Sequence, residues 1–63
     1  LSPMPFPAPV TATEFQTLVL DWLQGRIDLG DDLEAICDRF HDLSEQFLSF
    51  DEWEQFCIAN DMA

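Results

Sequence analysis

Apolar residues recur at helical spacing in three stretches of this chain, and no stretch alternates as a half-buried strand would. Between Thr11 and Gln24, Phe15, Leu18, Val19, Trp22 and Leu23 fall at i, i+3, i+4, i+7 and i+8, which draws one apolar face along a first helix. Thr11 and Glu14 have capping-box spacing, Thr13 is the other candidate cap, and Gly25 is a natural stop. After a short connection over residues 26–30, Asp31 or Asp32 can cap a second helix running to about Ser44. Its inward face is Leu33, Ile36, Cys37, Phe40 and either Leu43 or Phe47. A third helix starts near Phe50. Ser49 and Glu52 form an S-x-x-E capping box, and Leu48 and Trp53 stand at hydrophobic-staple positions. Phe50, Trp53, Phe56 and Cys57 face inward, and Asn60 ends the helix. The expected fold is all-α: a small bundle of three helices, or four short ones, over residues 11–63.

Ahead of the helices, prolines at 3, 5, 7 and 9 hold residues 1–10 in an extended, polyproline-like arm that cannot enter a helix. Leu1, Met4, Phe6 and Val10 are apolar enough to fold back on the domain or to reach a partner. The spacing is PxP, so the PxxP pattern of SH3-type ligands is missing.

Composition supports a folded core. The hydrophobic fraction is 48%, with six Phe and two Trp, which separates this chain from disordered acidic tails. Charge narrows the partners. Thirteen Asp and Glu stand against two basic residues, Arg26 and Arg39, for a net charge of −11. That charge repels nucleic-acid phosphates and anionic membrane surfaces, and it favours a basic protein surface. No apolar run is long enough to span a bilayer and no leader-like start is present, so the expectation leans toward the cytoplasm without fixing the compartment. So small a core is also compatible with a homodimer.

The second helix carries the most pointed charge pattern. Glu34, Asp38 and Asp42 stack at i, i+4 and i+8 with Glu45 beside them, and each like-charge pair costs about 0.2–0.5 kcal/mol. No Lys interrupts the stripe. These four carboxylates, with Trp53 as an exposed aromatic anchor, are the candidate partner-binding residues.

Catalytic chemistry is thin. His41 is the only imidazole and lies beside Asp42; Cys37, four residues before it, is within reach on a helix, but a cleft around the pair is hard to build. No catalytic residue and no cofactor are assigned. Cys37 and Cys57 lack CxxC spacing and further ligands for zinc, so they read as helix thiols, with a disulfide as the alternative.

From Leu33 to Phe56 the chain resembles an EF-hand: LEAICDRF, then HDLSEQFLSFDE, then WEQF. With His41 at loop position one, Leu48 takes the central apolar position and Glu52 the twelfth, while Trp53 and Phe56 take the aromatic places of the outgoing helix. The resemblance implies a helix–loop–helix and, in its full form, calcium binding. The ligand positions depart from it: one, three, five and six hold His41, Leu43, Glu45 and Gln46, where Asp, Asp, an oxygen ligand and Gly belong. No metal ligands are therefore assigned, and a metal-free pair with an apolar groove is expected.

EFQTLVLDW and DDLEAICDRFHDLSE, within residues 14–45, also resemble the first two helices of the colicin-nuclease immunity proteins. That resemblance implies an acidic second helix engaging a basic nuclease, through the positions of Glu34, Asp38, Asp42 and Glu45. The family's tyrosine pair and last helix have no counterpart here. The combined expectation is a non-enzymatic, acidic helical interaction module for a basic protein surface. Its alternatives are an inhibitor that blocks a nucleic-acid-binding site and an EF-hand-like calcium-binding domain.

Overall fold

A computed structural model describes residues 5–62. It contains three α-helices and, among the described residues, no strand: α1 (Ala12–Leu23), α2 (Leu33–Phe47) and α3 (Phe50–Ala59). The chain is an all-α, three-helix bundle. α2 is its centre, packing on α1 and on α3, while α1 and α3 meet only through side chains.

Each helix starts on a side-chain cap that satisfies a backbone N–H left without an intrahelical partner. Thr11, not Thr13, caps α1, accepting from the Glu14 N–H at 3.1 Å. Asp32, not Asp31, caps α2, accepting from the Ala35 N–H at 3.1 Å. At α3 both halves of the capping box form: Ser49 Oγ accepts from the Glu52 N–H at 3.1 Å, and Glu52 Oε1 accepts from the Ser49 N–H at 2.9 Å.

Two helices end in the same way. The Gly25 N–H donates to the Trp22 carbonyl at 3.1 Å and the Arg26 N–H to the Asp21 carbonyl at 2.8 Å, with Gly25 left-handed at φ 74°. At the end of α3 the Asp61 N–H donates to Ile58 at 3.3 Å and the Met62 N–H to Cys57 at 2.8 Å, with Asp61 at φ 58°. Both are Schellman motifs, in which a left-handed residue reverses the chain and occupies the last free carbonyls. Glycine takes that conformation without strain, whereas Asp61 accepts a modest cost. None of the three helices has a basic residue in its last turn.

The core is aromatic at its centre. Phe15 is 0% exposed, and its ring lies 5.5 Å from Trp53, 5.9 Å from Phe47 and 6.4 Å from Phe40. These tilted and offset arrangements suit the quadrupoles of the rings. Leu18, Val19, Ile36 and Leu43 complete the buried set, with Ile27 and Leu29 of the α1–α2 connection packed against it. Ser44 is buried too, its hydroxyl donating to the His41 carbonyl at 2.6 Å, so no polar atom is stranded there.

Several boundary and facing expectations change. α2 continues to Phe47 rather than stopping near Ser44, because Ser44 satisfies its hydroxyl within the helix and Phe47 gains the stack on Phe15. Leu33 and Phe50 are exposed, not inward. Each is the first residue of its helix, where a side chain lies past the end of the neighbouring packing surface. Cys37 is exposed as well, one turn beyond Leu33 on the same side of α2. Leu23 lies at the last turn of α1 and is partly uncovered for the same reason.

Before α1, residues 5–10 carry no helix or strand. Phe6 packs on the core, its ring 5.5 Å from that of Phe40, and the Arg39 guanidinium lies over the Phe6 ring, 5.4 Å from its centre. Val10 is exposed, and Leu1 and Met4 lie outside the described residues. Among the described residues no helix is long and apolar enough to cross a membrane.

Candidate functional site

At about 100° per residue, Glu34, Asp38, Asp42 and Glu45 fall within roughly 80° of the α2 surface. The buried residues Ile36, Phe40, Leu43 and Ser44 lie about half a turn away, on the opposite side. All four carboxylate residues are exposed, and the stripe from Glu34 to Glu45 is about 16 Å long at the helical rise. Among the described residues, Glu34, Asp38 and Asp42 form no ion pair; Glu45 Oε1 lies 3.3 Å from His41 Nε2, one turn before it. The other ion pair, Arg26 to Asp21 at 3.7 Å, belongs to the end of α1. Arg39, the one Arg of α2, is drawn onto Phe6 instead of the stripe.

Trp53 is half-buried against the core, in keeping with its place on the inward side of α3 and not with a fully exposed anchor. Its ring stacks on Phe56, with centroids 5.8 Å apart and planes 15° apart, and lies 5.5 Å from the ring of Phe15. The residue that protrudes is Phe50, 71% exposed. A shallow groove where α2 gives way to α3 is lined by His41, Glu45, Leu48, Phe50 and Trp53, so it brings together the last carboxylate of the stripe and the edge of the indole. Glu34, Asp38 and Asp42 lie outside this groove, along α2.

Glu52, the twelfth position of the EF-hand register, is held below the usual carboxylate range by the Ser49 backbone N–H and the Ser49 hydroxyl. Its carboxylate is thus committed to capping α3. Residues 41–47, the first seven loop positions of that register, are helical in α2. Among the described residues no group of three or more His, Cys, Asp or Glu side chains is gathered to hold a metal ion. No family model, curated protein or solved structure matches the chain. Its function therefore has to be argued from its own surface.

One feature of that surface escapes a periodicity reading. Trp22 and Leu23 of α1, Cys37 and Phe40 of α2, and Trp53 and Cys57 of α3 line, with Met62, an apolar cavity that all three helices share. Met62 reaches it because the left-handed Asp61 turns the chain back, bringing Met62 onto the core beside Cys57. Burial raises the pKa of the Cys57 thiol, while Cys37 stands at the exposed edge. The Asn60-Asp61 pair after the third apolar run was the available signal, since both residue types tolerate the left-handed region.

Proposed function

We propose that the protein is a non-enzymatic interaction module that binds a basic protein surface through the outer face of α2. The observation that carries this is the unpaired state of Glu34, Asp38 and Asp42, exposed together on a face the core does not use. Like charges at this spacing weaken an isolated helix, so the arrangement costs stability unless opposite charge meets it. A cationic surface would remove that repulsion and would be steered toward the face by the net charge of −11.

The test is charge reversal at Asp38 and Asp42, read as binding to cationic proteins at low and high salt, with circular dichroism as the control for folding. Loss of binding at low salt with the fold intact supports the reading, and unchanged binding removes it. Competition by excess DNA or RNA would identify the partner site as a nucleic-acid-binding one and make the protein an inhibitor of it. A rise in Tm with millimolar calcium would instead point to metal binding.

A further inference from the structure

The apolar cavity shared by the three helices is uncovered at its edge by more than chance surface leucines. Leu23, which lines it, is 40% exposed; Leu33, one turn before Cys37, is 62% exposed; Ile58, next to Cys57, is 53% exposed. A domain this small has little apolar surface to leave in water, because its core is barely enough to fold it. Carboxylates flank the cavity-lining thiols on both helices. Glu34 is exposed one turn before Cys37 on α2, Glu54 is exposed one turn before Cys57 on α3, and Asp61 is exposed next to Met62 beyond the end of α3. An apolar floor between two acidic edges has a defined complement.

We infer that this cavity receives the apolar anchor of a basic amphipathic helix, whose flanking Lys or Arg side chains meet Glu34 on one edge and Glu54 and Asp61 on the other. The helix-in-groove mode explains why apolar and acidic positions lie side by side, since an amphipathic helix presents its anchors at i, i+3 or i+4 and i+7 with cations beside them. A second copy of this chain is a poor occupant, because closing the contact would bring two bodies of charge −11 together. Trp22, Phe40 and Trp53 are the cavity's aromatic walls, with Trp22 and Phe40 packed edge to face at 5.3 Å. This inference rests on the proposed role as a binder of basic protein surfaces and gives that partner a shape.

The probe is a designed Leu/Lys amphipathic helix about 18 residues long, free of Trp, against a scrambled peptide of the same composition. Binding is followed by the fluorescence of Trp22 and Trp53. The expected result is affinity at least about tenfold tighter for the amphipathic peptide than for its scramble. It falls by a similar factor in a Leu23→Glu/Leu33→Glu variant whose circular dichroism is unchanged. A bulky maleimide on the exposed Cys37 blocks the same peptide in the unsubstituted protein, which covers the case of a variant that fails to fold. Equal binding of the two peptides, or indifference to both the variant and the label, overturns the inference. If equal binding is nonetheless lost on charge reversal at Asp38 and Asp42, the cavity fails while the basic-partner reading stands. If neither peptide binds at low salt, both fall.

Discussion

Phe6 lies against Phe40, ring centroid to ring centroid at 5.5 Å, and so fastens the segment ahead of the helices to the middle of α2. Phe40 itself is nearly fully buried and touches Phe15 and Trp22 as well, so Phe6 is the third ring packed on it. Phe6→Ala is expected to cost about 1–2 kcal/mol, below the value for a fully buried Phe because Phe6 is only half-buried. In a domain of this size that is a Tm lower by roughly 8–15 °C. An unchanged melting curve would show that the segment is not fastened in solution.

The capping box at α3 gives a pH-dependent prediction with a definite sign. Hydrogen bonds from Ser49 hold the Glu52 pKa below its ordinary value. A carboxyl depressed in this way stabilises the folded state above its unfolded pKa, and that contribution is lost as pH falls through the folded value. The difference in Tm between the natural protein and Glu52→Ala should therefore be steady near neutral pH and shrink on acidification below about pH 4.3. Ser49→Ala should cost about 1 kcal/mol at neutral pH, the usual worth of an N-cap hydroxyl.

Thiol reactivity should separate the two cysteines. Cys37 is exposed, whereas burial raises the Cys57 pKa and makes its thiolate scarcer. Iodoacetamide at mildly alkaline pH, followed by peptide mass mapping, should label Cys37 first. In denaturant the two rates should converge.

Relieving the stripe should stabilise the fold while harming binding. Asp38→Lys would place a cation between Glu34 and Asp42, turning two repulsive i,i+4 pairs into attractive ones. The expected gain is about 0.5–1 kcal/mol at low ionic strength, fading at high salt as exposed charges are screened. A gain in Tm accompanied by weaker binding to a cationic partner is the pattern expected of a face kept for recognition. A loss of Tm would mean that Asp38 has a structural task.

The helices, their starting caps and most of the core were legible because each rests on local spacing. Thr11 with Glu14, Asp32 before Leu33, and Ser49 with Glu52 all satisfy backbone groups within three residues of themselves. What periodicity could not settle was which apolar residues at helix ends are covered. Leu33, Phe50 and Cys37 carry the right spacing, but their coverage depends on where neighbouring helices stop, which is a tertiary fact. Trp53 and Phe56 were readable as inward from their spacing, whereas the contact of Trp53 with Phe15 of α1 is a tertiary fact that spacing does not carry. The stripe of Glu34, Asp38, Asp42 and Glu45 was fully legible, since helical phase alone determines it. The cavity was not, because it needs Met62 returned by a left-handed Asp61.

The half-turn between the carboxylate face of α2 and its packing face has an evolutionary consequence. Substitutions on one face leave the contacts of the other untouched, so changes at distant positions should combine nearly independently. A lineage could exchange Glu34, Asp38, Asp42 or Glu45 without reworking the Phe15–Phe40 core. The outer face of α2 can diversify quickly on a scaffold that changes slowly.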